Sequence, residues 1–193
     1  MDFTEGTLIE KNIRAKKMML WFGIASLIMS FAGLTSAVIV SSKRPDWLNE
    51  FQLPDAFIIS TFIMIVSSIT FILAKRALIN NLRQTTTVWL LITLTLGIAF
   101  IISQFVGFGQ IVQWGYNFTG PTSNVTMSFI YIIAVAHVAH VVAGIISLMS
   151  VIYNHLNKKY NASNMLGIEL SATFWHFVDG LWLFLFLFLY FYR

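Results

Sequence analysis

Five uninterrupted apolar runs, at about residues 18–40, 56–74, 86–108, 127–153 and 170–192, constrain this chain more than any other feature. Each is long enough to cross roughly 30 Å of hydrocarbon as an α-helix, which takes about 20 residues at about 1.5 Å of rise apiece. Hydrocarbon offers no partner to a backbone N–H or C=O, so only helices and closed barrels survive there. A barrel strand would alternate apolar and polar residues over about ten positions. The stretch FIISTFIMIVSSITFILA is instead apolar on both parities, which predicts an all-α, polytopic membrane bundle of five transmembrane helices. In a chain of 193 residues with 10% charged side chains, the spans and their short connections leave no room for a soluble unit, so residues 1–193 are expected to form a single membrane domain.

The few charges then read as topology. Lys11, Arg14, Lys16, Lys17, Lys75, Arg76, Arg83, Lys158 and Lys159 flank one set of span ends, against Lys43, Arg44 and Arg193 at the other, nine against three. By the positive-inside rule this puts the N-terminus inside and the C-terminus outside. The sequence pI of 9.5 is therefore an orientation signal, and no nucleic-acid partner is expected. The opening MDFTEGTLIEKNIRAKK lacks the basic start, short apolar stretch and small-residue site of a secretory signal, so the tail is expected to remain. Cysteine is absent, which excludes disulfides, thiolate metal sites and covalent c-type haem. Asn117 and Asn124 stand in Asn-x-Thr sequons in the third loop, a weak pointer to glycosylation.

Ionisable residues inside the spans are the first candidates for function, because each costs at least about 2.5–3.5 kcal/mol at the bilayer centre unless it faces the bundle and finds a partner. His137 and His140 lie in the fourth span, and His176 and Asp179 in the fifth. Steps of three or four residues line Glu169, Ala172, His176 and Asp179 along one helix face, and His137, His140, Gly144 and Ser147 along another. Both stripes are expected to point inward. His140 and Asp179 sit at matched depths, so a contact between them is geometrically possible, with Ala139, Ala143 and Gly144 allowing close backbone approach.

Three chemistries fit such a set. The residues could form a buried hydrogen-bonded pair or triad that fixes helix packing, a proton relay, or a haem or metal site built by two histidines on different helices. Ser60, Ser67 and Ser68 in the second span, and Ser103 and Gln104 in the third, read as interhelical hydrogen-bonding residues. Trp47, Trp114, Trp182, Tyr190 and Tyr192 suit interfacial anchoring or packing. No phosphate loop, nucleophile elbow or zinc-protease motif occurs.

The C-terminal run GIELSATFWHFVDGLWLFLFLFLYFY resembles the last helix of subunit III of haem–copper oxidases, the cytochrome c oxidase subunit III family. AVAHVAHVVAG is similar to that family's two-histidine helix, and TLGIAFIISQF to the helix before it; the resemblance runs from about residue 54 to the end and less securely over the first span. It implies the short, five-helix form of a subunit without a redox centre of its own, with haem and copper in partner subunits I and II. Further implications are bound phospholipid, support of assembly and sustained proton uptake by the catalytic subunit, possible membership of a respiratory supercomplex, and residence in a bacterial inner (plasma) membrane. The complex would reduce oxygen to water and pump protons. The positions that match are His137, His140, Glu169, Trp175, His176, Asp179 and Trp182: the ionisable five as buried packing residues, the two tryptophans in packing or lipid contact, with no catalytic or metal role. In the family the helix corresponding to the first span usually holds a buried carboxylate, whereas here no Asp or Glu occurs between Glu10 and Asp46. Subunit III of a quinol oxidase, an accessory subunit of a nitric oxide reductase and a five-helix haem b cytochrome are the alternatives.

Overall fold

The computed structural model describes residues 7–48, 53–118, 120, 123–160 and 164–192. Arg193 and the first six residues of the tail, both used in the reading above, lie outside that set. Among the described residues the fold is all-α: α1 (Leu8–Ser41), α2 (Asp55–Ile79), α3 (Arg83–Gln113), α4 (Val125–Leu156) and α5 (Leu166–Phe191). All five are long and apolar enough to cross a membrane.

All five helices begin before their apolar runs, and at α1 and α4 a side-chain cap sets the start. α1 begins ten residues before its greasy stretch: Thr7 Oγ1 accepts from the Glu10 N–H at 3.3 Å, and the Glu10 carboxylate accepts from the Thr7 N–H at 2.9 Å. That reciprocal box satisfies two of the donors every helix start leaves open. At the start of α4 the Asn124 side chain accepts from the Thr126 N–H at 2.8 Å and donates to the Asp46 carbonyl at 3.3 Å. The sequon asparagine is thus engaged as a cap and loop tie. The α2–α3 reversal takes only a few residues because Asn81 adopts φ 57°, a left-handed conformation asparagine tolerates, which lets the Leu82 N–H reach the Ala77 carbonyl at 2.9 Å.

α2 and α3 form the most extensively packed pair; α3 lies on α4, α4 on α5, and α5 returns to α2, closing a four-helix ring. α1 stands outside the ring against α4 and α5, without close backbone approach to α2 or α3. Large apolar side chains such as Phe22, Met29, Phe62, Ile102, Phe105 and Ile146 face outward, as expected of a surface solvated by lipid. Between the helices, glycines admit flat aromatic rings. A Cβ at Gly107 would overlap Phe57, and one at Gly97 would lie 2.7 Å from Trp175 Cη2. Trp175, Trp182, Phe57, Phe71 and Phe100, none more than 2% exposed, fill the centre.

The first loop closes over the α4 start, where the Leu48 N–H donates to Thr126 Oγ1 at 3.0 Å. Trp47 is buried there against Phe129, whereas Trp114 at the end of α3 is exposed. Arg44 grips Asp46 with two hydrogen bonds of 2.8 and 2.9 Å, and these hold the Asp46 carboxyl below its ordinary pKa.

Candidate functional site

α5 is the floor of a cleft whose walls, α1 and α2, make no close backbone approach to each other. On the faces where α5 meets other helices, large residues such as Trp175, Trp182 and Leu185 are interspersed with the small and polar Ser171, Ala172 and Asp179. Toward α2 it makes three hydrogen bonds: Trp175 Nε1 donates to Ser67 Oγ at 3.1 Å, Trp182 Nε1 donates to Thr61 Oγ1 at 3.1 Å, and Ser68 Oγ and His176 Nδ1 share one at 2.5 Å. Toward α4, Ser147 Oγ donates to Ser171 Oγ at 3.0 Å, and Trp175 lies across Gly144. Hydroxyls and glycines hold helices together in lipid, where apolar contact alone gives no preference for protein over acyl chains.

The expected ionisable set is not brought to one place. His137 is fully buried in an aromatic box, 5.0 Å between ring centroids from Trp182, 5.8 Å from Phe100 and 6.4 Å from Phe31, with no hydrogen-bond partner for either ring nitrogen. His140, one turn on, is rotated toward α1: its Nδ1 bonds the carbonyl of Ala136 on its own helix at 2.7 Å, and its ring meets the edge of Phe31 at 5.7 Å. Asp179 is 7% exposed, both its oxygens lack a partner, and it faces a groove with Ser68 and His176 on the α2 side of α5. The His140–Asp179 contact allowed by depth is therefore not made. Depth was matched but helical phase was not, since the α4–α5 seam runs through Gly144, Ser147 and Trp175.

Glu169, expected among the buried residues, sits at the rim instead. It is in the first turn of α5, 3.3 Å from Lys17 on α1 and 4.0 Å from Lys75 on α2, with its side chain 37% exposed. It links the ends of two helices whose backbones otherwise stay apart.

The cleft has three parts along one face of α5. A cavity of about 260 Å³ at Lys17, Trp21, Lys75, Glu169 and Thr173 lies at the charged end. One of about 450 Å³ between α1 and α5 is lined by Ile28, Phe31, Ala32, His176, Gly180 and Phe184. One of about 270 Å³ between α2 and α5 is lined by Ile65, Ser68, Ile72, His176, Asp179 and Gly180. His176 and Gly180 border the last two, and neither cavity contains a second histidine.

Gln104 donates to Ser60 Oγ at 2.8 Å, an interhelical bond as expected, whereas Ser103 returns its hydroxyl to Phe100 on its own helix at 2.8 Å. Two contributors went unread. Thr61 receives Trp182, and its signal was the repeat of adjacent hydroxyl pairs, Ser60–Thr61 and Ser67–Ser68, seven residues or two turns apart. His155, 3% exposed near the end of α4, approaches the Arg83 carbonyl at 3.3 Å and Thr87 Oγ1 at 3.1 Å, latching α4 to the start of α3. Its position at a helix end carried no such signal.

Comparison with known proteins adds a second line of observation. The family model described as cytochrome c oxidase subunit III matches residues 14–193. The chain is 32% identical over 137 residues to cytochrome c oxidase subunit 3 of Spodoptera frugiperda, covering 70% of this chain and 86% of that one. Against the protein of the same name from Aedes aegypti it is 31% identical over 70% of its own length but spans only 48% of the relative. Against cytochrome bo(3) ubiquinol oxidase subunit 3 of Buchnera aphidicola it is 29% identical, with 91% of both chains covered.

Proposed function

Because the chain belongs to the cytochrome c oxidase subunit III family, we propose that it is the five-helix subunit III of a bacterial terminal haem–copper oxidase. In this reading it lies in the inner (plasma) membrane with its N-terminus inside. Subunits I and II carry the haem and copper, reduce oxygen to water and pump protons. This chain contributes assembly, lipid binding and sustained proton uptake. The observation that carries the reading is the dispersal of its imidazoles: His137 is boxed by aromatics, His140 turns to its own backbone, and His176 is bonded to Ser68. That is the behaviour of side chains used between helices, whereas a bis-histidine haem b would need two of them facing each other at matched depth.

The same reading gives the cleft an occupant. Lys17, Lys75 and Trp21 at its charged end suit the head of an anionic phospholipid, and the apolar channel past Ile28 and Phe184 suits an acyl chain. Mass spectrometry of the intact complex tests this: Lys17→Glu with Lys75→Glu lowers retained anionic phospholipid, and unchanged retention refutes it.

A quinol-oxidising complex is the second reading, favoured by the Buchnera relative, whose match covers nine-tenths of both chains. Purification in mild detergent, a subunit inventory and a visible spectrum decide among these. The chain is expected to co-purify with a large haem-bearing complex and to be colourless when separated from it. A Soret band on the separated chain would overturn the proposal.

A further inference from the structure

We propose that the groove between α2 and α5 binds the head of a lipid-soluble quinone or quinol, entering sideways from the hydrocarbon. This goes beyond the subunit assignment and concerns the α2 side of the cleft, beside the acyl-chain channel with which it shares His176 and Gly180.

Asp179 supplies the starting point. It stands midway along α5, about 20 Å from Leu166 and about 18 Å from Phe191 at about 1.5 Å per residue. It is more than nine-tenths buried, and neither carboxyl oxygen makes a hydrogen bond of ordinary geometry, although the Ser68 hydroxyl lies beside it. Hydrocarbon tolerates the neutral form of such a group far better than the ionised one. A neutral carboxyl both donates and accepts one hydrogen bond. His176, three residues earlier and so on the same helix face, has its Nδ1 committed to Ser68, which fixes the ring and leaves Nε2 to serve a guest. The rest of the lining is apolar, with Ile65 and Ile69 on α2 and Leu183 on α5, and Gly180 has open space where a Cβ would stand.

The guest must satisfy all of these features. A phospholipid head carries its charge at the membrane surface, roughly 15 Å along α5 from Asp179, near Glu169. An acyl chain reaches this depth but leaves the carboxyl unpaired. A metal ion would have one carboxyl and one imidazole, and no cluster of three potential ligands occurs among the described residues. A molecule with a single hydroxyl serves one of the two polar groups. A quinone presents carbonyl acceptors on a rigid apolar ring, which suits a groove whose lining offers a neutral carboxyl and an imidazole amid apolar side chains. The cavity of about 270 Å³ falls just below the range of ordinary ligand sites, which suits one ring. Its apolar rim passes the isoprenoid tail to the bilayer. The inference assigns binding only; no electron transfer is placed here.

The test uses the purified oxidase complex in nanodiscs of synthetic phosphatidylcholine and phosphatidylglycerol free of quinone. A short-tailed azido-ubiquinone is added, illuminated, and its adducts mapped by peptide mass spectrometry. Saturable labelling of α2 and α5 peptides around Ser68 and Leu183, displaced by unlabelled decylubiquinone, is expected. Asp179→Leu lowers labelling about tenfold, equivalent to about 1.4 kcal/mol, whereas Asp179→Asn, which keeps a donor and an acceptor, retains it. Leu183→Trp fills the groove without touching a polar group and abolishes labelling, so the test does not hang on one variant's folding. Labelling that is not displaced, equal labelling around Phe22 and Ile102, labelling intact in Leu183→Trp, or a partner-subunit helix crosslinked along the groove would each overturn the proposal. Phospholipid retained by the detergent-purified Lys17→Glu, Lys75→Glu complex separates the two readings, because unchanged retention with labelling intact counts against the acyl-chain assignment alone.

Discussion

Gly97→Ala should expose how tightly the bundle is built around Trp175. A Cβ at residue 97 would lie 2.7 Å from Trp175 Cη2, 3.2 Å from Cζ2 and 3.5 Å from Ile145 Cγ1. The indole cannot swing aside. Its Nε1 is bonded to Ser67 on α2, its edge meets Phe71, and its far side already presses on Gly144 of α4, where a Cβ would be 3.2 Å from Cε3. Overpacking of this kind costs about 1–3 kcal/mol, against about 1 kcal/mol returned by replacing glycine with alanine in a helix. The net expectation is a loss of up to about 2 kcal/mol. Trp175→Phe withdraws the two atoms that clash, so in that background the same alanine should stabilise by about 1 kcal/mol. The coupling energy of the double-mutant cycle is thus about 1–3 kcal/mol, read from unfolding of the purified chain in mixed micelles by sodium dodecyl sulfate, followed by far-ultraviolet circular dichroism. Equal effects of Gly97→Ala in both backgrounds, within about 0.5 kcal/mol, would refute the reasoning.

Three further outcomes follow from the same contacts. Thr61→Val leaves the buried Trp182 N–H without its acceptor and should cost about 0.6–1.7 kcal/mol, the range for interhelical bonds in membranes, while Thr61→Ser restores stability in the same unfolding assay. His137→Leu should be neutral or stabilising, because relief of two unpaired ring nitrogens, worth about 1–3 kcal/mol, offsets aromatic contacts worth about 0.5–1.5 kcal/mol; a loss above about 3 kcal/mol would reveal a bond to that imidazole. Glu169→Gln removes half-exposed ion pairs to Lys17 and Lys75, so the change should stay within about 1 kcal/mol and vanish as salt is raised.

The helices were legible because each apolar run exceeds what any soluble element needs. Their ends were less so. The capping box at Thr7 and Glu10 extends α1 through a polar, charged segment that hydropathy assigns to a tail. The interior was harder still. In water, apolar periodicity marks the buried face, but here apolar residues cover both the core and the lipid side: Phe57 is buried while Phe62, on the same helix, is exposed. The buried face was marked by small and polar residues, which is why Ser67, Ser68 and Gln104 could be placed and the aromatic core could not. Phase between helices was not encoded in any single segment, and the His140–Asp179 expectation failed on that point.

The polar residues of this chain divide by whether the chain itself answers them. Ser60, Thr61, Ser67, Thr70 and Gln104 hydrogen-bond to neighbouring helices or to their own backbone, and they build the ring. His137 and Asp179 have no hydrogen-bond partner, yet they differ in what surrounds them. Three aromatic rings enclose His137, so the cost of its unpaired nitrogens is met within the fold and invites no guest. Asp179 borders an open groove. The satisfied neighbours Ser68 and His176 hold that groove in shape. An unanswered carboxyl at mid-membrane, beside a fixed imidazole and a glycine, is a cost the isolated chain keeps, and it is the cost that the proposed quinone would relieve.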